Sequence, residues 1–380
     1  MKKVYYFTNI SPHYRKNLWV KLVSTTKFEM HFFFGTNESF GIWSIDFDTA
    51  FFRPYWERFD KIKNYWFKSR VLFWQKGVIG KCLRDDFDTV IFLGEASILS
   101  TWLATLICKL RKKRVIYWTH GAYGNETWLK LRVKLLFYSM ADELLVYENR
   151  ARQNLIAHHF EPSKIHIIYN SLDYDEHLKI KEKIGWPIRN DSPLHSFEDE
   201  SLPLLIFVGR LTLIKKLDLL IKALKQLRDR KFKLNLLIIG NGDAKENLQD
   251  LTRDLELGGQ VCFYGPCYDE YRLGIFLTKA DLCVSPGNVG LTAIHAMTFG
   301  TPVCTHNNFS EQMPEVEAIK EGITGCFFNQ GDANDLAETI HAWFLKNTDV
   351  EKVRDEAFNV IKNKYNPYNQ LAILTDVIGR

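Results

Sequence analysis

A chain of 380 residues, 46% of them hydrophobic, holds enough apolar material for more than one core, and ordinary domain size favours two. No apolar run approaches the roughly 20 residues that cross a bilayer, and Met1-Lys2-Lys3 leads into a strand-like segment rather than an apolar signal segment, so a cytoplasmic protein is expected. The net charge of +5 is unevenly spread: residues 1–190 carry 30 Lys and Arg against 19 Asp and Glu, whereas residues 191–380 carry 20 against 26, so the halves face different partners.

In chain order, the first half places short β-branched or aromatic runs at 4–8 (VYYFT), 31–34 (HFFF), 89–94 (TVIFLG), 114–121 (RVIYWTHG), 143–147 (ELLVY) and 164–170 (KIHIIYN), with helix-length segments between most of them. Between the second and third runs, residues 61–84 hold seven Lys or Arg, five aromatics and no acid. That composition suits contact with an anionic membrane surface, against the plainer reading of a helix with an aromatic core face and solvated lysines. A nucleic-acid surface would also be basic and aromatic, but no recognised binding motif accompanies it and none is expected to bind. RKKR at 111–114 reads as a solvated turn before a buried strand.

Residues 186–203, with three prolines, several acids and no apolar periodicity, read as a linker. The second half then repeats the rhythm at 204–210 (LLIFVGR), 233–242 (KLNLLIIGNG), 260–265 (QVCFYG), 281–287 (DLCVSPG), 301–305 (TPVCT) and 324–328 (TGCFF). Continuous apolar strands alternating with helices predict parallel sheets covered on both faces. The expected fold class is α/β, with two doubly wound Rossmann-like domains at 1–185 and 204–364 and a ligand cleft between them near the carboxyl ends of their strands. Residues 365–380 start after a proline break and are expected to form a helix packing back on the first domain. The seven cysteines are scattered and mostly within apolar runs, which fits reduced core thiols. Cys262 and Cys267 flank FYGP without the second pair that a zinc site needs.

Three stretches carry chemistry. Gly209-Arg210 ends a strand, and Lys215 and Lys216 open the next helix; cations and helix amides converging there suit a diphosphate, whereas the plain alternative is a solvated basic helix start. IIGNGD (238–243) turns into a helix but is not the GxGxxG of a dinucleotide site. SPGNVGLTAIHAM (285–297) follows a third strand, and small residues there let the amides of Gly290, Leu291 and Thr292 point at a phosphate from a helix start, unless the turn serves close packing alone. His295 falls in the first turns of that helix.

Taken in order, FVGRL…KKLDLLI, LLIIGNGD, VCFYGP, ADLCVSP…GL…AM…FGTPV and QMPEVEAIKEGITGCFFNQGD resemble the nucleotide domain of retaining GT-B glycosyltransferases of family four, and TNISPHYR, WTHGAYG and IHIIYNSLD resemble that family's acceptor domain. The resemblance implies transfer of a sugar from a nucleotide donor, a UDP-sugar for preference, to a glycan hydroxyl on a lipid carrier, in bacterial surface polysaccharide biosynthesis. It implies that Arg210 and Lys215 neutralise the donor diphosphate, that Gly209 and residues 290–292 cradle phosphate, that Glu315 follows the last strand of the site, and that His120 lines the cleft near the donor sugar. Arg15, in the loop after the first strand, would meet phosphate or acceptor. By resemblance two glutamates should stand where this chain has Gly287 and His295. A histidine still offers hydrogen bonds to ribose, but sugar recognition would pass to backbone amides, Asn288 or the first domain. Front-face displacement, with the leaving phosphate taking the acceptor proton, leaves catalysis to positioning and charge stabilisation, so neither a cofactor nor a metal is expected. The rival readings are a nucleotide-sugar-binding protein without turnover, favoured by the missing glutamates, and an epimerase or hydrolase of the same fold.

Overall fold

The computed structural model describes residues 1–35, 42–67, 71–122, 124–185 and 197–380. Each apolar run becomes a strand. The chain divides into two compact units, one of residues 1–173 with 366–380 and one of residues 174–365.

The first unit contains β1 (Lys2–Thr8), α1 (Lys16–Ser24), β2 (Phe28–Gly35), β3 (Phe59–Ile62), β4 (Asn64–Phe67), β5 (Leu72–Gln75), α2 (Val78–Arg84), β6 (Thr89–Leu93), α3 (Leu99–Leu110), β7 (Arg114–Thr119), α4 (Trp128–Ser139), β8 (Glu143–Val146), α5 (Asn149–Ala157) and β9 (Ile165–Ile167). Its main sheet has the order β3-β2-β1-β6-β7-β8-β9 with every neighbour parallel, the doubly wound order whose direction reverses between β1 and β6. One face is covered by an aromatic cluster in which Trp19 of α1 stacks on Phe32 at 4.4 Å and Tyr6 on Trp118 at 5.6 Å. Residues of α2, α3, α4 and α5 pack on the other.

The second unit adds α6 (Tyr174–Ile184), β10 (Leu204–Val208), α7 (Leu217–Asp229), β11 (Asn235–Ile239), α8 (Lys245–Asp254), β12 (Val261–Gly265), α9 (Glu270–Lys279), β13 (Leu282–Ser285), α10 (Leu291–Thr298), β14 (Val303–His306), β15 (Gly325–Phe328), α11 (Ala333–Lys346) and α12 (Val350–Asn363). Its sheet runs β12-β11-β10-β13-β14-β15, again parallel throughout and reversing between β10 and β13. These strands are apolar at nearly every position because both of their faces are buried.

Two expectations need correction. Residues 174–184, assigned by sequence to the first domain, belong to the second unit: Tyr174, His177 and Ile180 are buried, and α6 approaches α9 closely because Gly274 has no side chain, a Cβ there coming within 2.8 Å of Ile180 Cγ2. The basic stretch 61–84 is not a helix throughout. It comprises the end of β3, the antiparallel β4–β5 hairpin and α2, with Ile62 and Phe73 buried and Trp66 against Phe73 at 4.4 Å; its residues 68–70 lie outside the described residues. Of the linker, 186–196 also lie outside them, while the remainder is pinned to the second unit by Glu198 N donating to Gly259 O (3.0 Å) and Asn235 Nδ2 donating to Asp199 O (2.8 Å).

The last helix, α13 (Pro367–Gly379), starts with Pro367 in its first turn and Asn366 as cap, whose Oδ1 accepts from Asn369 N at 2.9 Å. Leu374, Val377 and Ile378 enter the same cluster as Leu18, Trp19 and Leu22 of α1. Gln370 is fully buried; its Oε1 accepts from Ser171 Oγ at 2.6 Å and its Nε2 donates to Tyr169 O at 3.2 Å. Gln370→Ala leaves both groups without these bonds and should destabilise the first unit by about 1–3 kcal/mol, measured as a lower denaturation midpoint in the fluorescence of its buried tryptophans.

Candidate functional site

At the carboxyl end of β10 the chain passes through Gly209 and exposed Arg210, makes a 3₁₀ turn at Leu213–Lys215, and enters α7 through Lys216 in the left-handed region (φ 52°). The loop after β11 nests against it. Gly209 N donates to Ile239 O (3.0 Å), Leu211 N to Asn241 O (2.9 Å) and Ala244 N to Leu211 O (2.9 Å). Cβ atoms on Gly240 or Gly242 would overlap the carbonyl oxygens of Gly209 and Leu211. The glycines of IIGNGD therefore serve this close approach of two loops.

The turn after β13 is pressed against the 213–216 loop. Gly287 N donates to Lys215 O at 3.0 Å, and a Cβ on Gly287 would overlap Ile214 O and come within 2.8 Å of Lys215 Cα. Lys215 Nζ donates to Asn288 O (2.8 Å) and Asn288 Oδ1 (2.9 Å). Asn288, expected to meet the sugar, accepts these two bonds and holds the lysine in place. Burial, and then the charge of Arg210, push the Lys215 ammonium below its ordinary range. Helix α10 begins at Leu291 with Gly290 as its cap residue and no side chain capping its amides. An anion is favoured at such a start. Thr292 Oγ1 donates to Val208 O at 3.1 Å, tying that start to β10.

Sequence reasoning missed the brace behind this turn. Gln312 Oε1 accepts from Val289 N at 2.7 Å, while Gln312 Nε2 donates to Thr305 Oγ1 (2.9 Å) and His306 O (3.0 Å). Thr305 Oγ1 in turn donates to Ser285 O at 2.8 Å. Gln312 stands two residues before Pro314-Glu315, and its side-chain amide alone gave a signal too common to single out. Glu315 is buried, with Oε2 3.9 Å from where a Cβ on Gly290 would project.

The structure thus brings Gly209, Arg210, Lys215, Asn288, Gly290, Leu291, Thr292 and Glu315 to the carboxyl end of the second sheet. His295, expected to hold ribose, faces α6 and α9. Its ring stacks on His177 (4.8 Å, 11° between planes) and its Nε2 lies 3.2 Å from Glu270 Oε2, which also accepts from His177 Nε2 at 3.2 Å. Burial opposes ionisation of Glu270, but the two imidazoles outweigh it and hold the carboxyl well below the usual range. Among the described residues these three form the group whose ligand atoms approach within 4.8 Å, and they join helices α6, α9 and α10.

In the first unit, Arg15, His120 and Tyr147 meet at the carboxyl end of the sheet. Arg15 Nη2 donates to Tyr147 OH, its guanidinium lies 5.3 Å from the Trp118 ring centroid, and the His120 ring is 4.7 Å from that of Tyr147. The loop after His120 is fixed by Lys134 Nζ, which donates to Gly121 O and Glu126 Oε1, both at 2.9 Å, and by Asn154 Nδ2, which donates to Ala122 O at 2.9 Å. Burial, with the Arg15 and Lys134 charges adding to it, pushes His120 down to about 4, so its imidazole is neutral at neutral pH.

The geometry can be compared with known proteins. Residues 190–360 match the family described as Glycosyl transferases group 1. The chain is 27% identical over 233 residues to an uncharacterized glycosyltransferase of Methanocaldococcus jannaschii, covering 57% of this chain and 56% of that one. It is 30% identical over 219 residues to an uncharacterized 41.2 kDa protein in the cps region of Klebsiella pneumoniae, covering 55% of each. The chain therefore spans just over half the length of these curated relatives. The crystal structure of Anabaena HepE in complex with UDP has a TM-score of 0.69 at 14% identity over all of both chains. The fold is GT-B, two Rossmann-like domains, and residues 190–360 carry the glycosyltransferase match.

Two outcomes follow. Gly287→Ala forces the 213–216 backbone away and should cost about 1–3 kcal/mol, read as a lower melting temperature of the second unit. The lowered His120 value makes its contribution to stability full above about pH 6.5 and lost as pH falls towards 4; the imidazole resonances should titrate with a midpoint near about 4, and a midpoint above about 6 contradicts the burial argument.

Proposed function

We propose that the chain is a retaining glycosyltransferase that moves a sugar from a nucleotide-sugar donor, with UDP as the nucleotide, to a glycan hydroxyl on a lipid-linked acceptor in bacterial surface polysaccharide biosynthesis. The observation that carries this reading is the pairing of Arg210 and Lys215 with the uncapped start of α10 across one turn. A leaving diphosphate placed there gains two cations and a helix start, fixed before the reaction begins. The match of residues 190–360 and the UDP in the HepE structure support the same donor class.

On this reading the turn at 287 works without a carboxylate. The 213–216 loop occupies the space that a side chain at 287 would take, so the loop itself closes that wall of the donor pocket. For the ribose hydroxyls we assign Glu270, a half-exposed, ionised carboxylate from α9 that the imidazoles of His177 and His295 hold from behind. His120, neutral at neutral pH, is suited to a hydrogen bond with a sugar hydroxyl and not to holding a charge. With the phosphates met by Arg210, Lys215 and amides, the reading calls for neither a metal nor a cofactor. Front-face displacement then needs only that the acceptor be held against the anomeric carbon while the departing phosphate accepts its proton.

The missing carboxylate at 287 favours one other reading, a binding protein without turnover. Incubation with a panel of labelled nucleotide sugars and membrane lipid extract separates the two. Labelled glycolipid is expected, and Arg210→Ala should lower kcat/KM by roughly 100- to 1000-fold. UDP binding without transfer or donor hydrolysis across the panel would establish the binding-protein reading in its place.

A further inference from the structure

Helices α3 and α4 are apolar on both sides. Their inner faces bury Ala104, Cys108, Phe137 and Tyr138 against the first sheet, with Trp102 of α3 4.9 Å from Phe137 of α4. Their outer faces keep rows of exposed apolar side chains. On α3, Leu99, Leu103, Leu106 and Leu110 repeat at helical spacing along the exposed side, and Leu110 is 85% exposed. On α4, Trp128 (68% exposed), Leu129 (66%), Val133 and Leu136 (62%) form a second exposed row. Exposed apolar rows of this size on neighbouring helices mark an interaction surface.

Charge decides what covers it. Neither α3 nor α4 contains an acidic residue, whereas Lys109, Lys130, Arg132 and Lys134 lie on them, and residues 78–139 together hold ten Lys or Arg against five Asp or Glu. Lys109 and Lys134 are paired with Asp142 and Glu126, but Lys130 and Arg132 are exposed beside the leucines, and the Arg132 guanidinium stacks over Trp128 at 4.7 Å. A second copy of the chain docked by the same face in two-fold symmetry would oppose cation to cation. An anionic lipid bilayer offers apolar chains to the leucines, headgroup phosphates to Lys130 and Arg132, and an interfacial position to Trp128.

We propose that the outer faces of α3 and α4 are a docking surface for an anionic lipid bilayer, with Leu103, Leu106, Leu129, Val133 and Leu136 at the acyl boundary and Lys130 and Arg132 among the headgroups. This places membrane contact on helices that composition did not single out. Among the described residues no helix is long and apolar enough to cross a membrane, so the contact lies in the interface.

The test is co-flotation of the full chain with vesicles of phosphatidylglycerol and phosphatidylcholine, compared with phosphatidylcholine alone. It needs no turnover, so its result is independent of whether the chain transfers sugar. Binding to the anionic vesicles is expected, weakening with added salt. Leu129→Ser with Leu136→Ser should reduce it about tenfold or more, and Lys130→Gln with Arg132→Gln should reduce it by about fivefold per charge at low salt. Unchanged thermal melting and UDP binding in each double variant would show that folding and the donor site are intact. The proposal is overturned if the wild-type chain fails to float with anionic vesicles, or if both double variants bind as tightly as wild type. It is equally overturned if the wild-type chain forms a dimer in solution that Leu129→Ser with Leu136→Ser dissolves, since the occupant is then a second copy.

Discussion

Backbone meets backbone where the turn at Gly287 lies against the loop at 213–216, and the candidate site of the second unit depends on that contact. It fixes the height at which Lys215 emerges, lets its ammonium reach Asn288, and sets the start of α10 beside the end of β10. The contact is possible because position 287 has no side chain. Where the family resemblance leads to the expectation of a carboxylate, position 287 offers close approach, and that approach is maintained from behind by Gln312 and Thr305. Both residues are buried, so their amide and hydroxyl must be satisfied internally, and satisfying them is what holds the turn.

The architecture was legible because parallel strands buried on both faces are continuous apolar runs, and every such run became a strand. What escaped was what lacks that signature. β3, β4 and β5 are four residues each, and exposed or half-exposed positions interrupt them, so their sequence reads as a basic, aromatic surface. α6 was not legible as part of the second unit, since amphipathic spacing says which side is buried and not which neighbour buries it. That information sits at Gly274, whose significance appears only when Ile180 lies across it.

The candidate site divides along the same line. Arg210, Lys215 and the amides at 290–292 lie on strand ends and helix starts, where local sequence states both position and chemistry. His177, Glu270 and Tyr147 are brought in from elements distant in sequence, and no spacing announces them. His295 shows the limit most plainly. Its place in the chain matched a ribose contact, yet its ring is set by a stacking partner on α6 and a carboxylate on α9, so position in a motif fixed the backbone and left the side chain's company open.

The first unit is written in two pieces, with 366–380 supplying α13 after all of 174–365 has been made. On the ribosome, the parallel sheet of residues 1–173 emerges with Trp19, Leu18 and Leu22 still lacking the cover of Leu374, Val377 and Ile378. The second unit can close within one uninterrupted stretch of chain, whereas the first must wait for its last helix. Order of synthesis and order of completion are therefore inverted: the half begun first is completed only after the second unit has been made, and an apolar groove on α1 stays open to solvent or to a chaperone until α13 arrives.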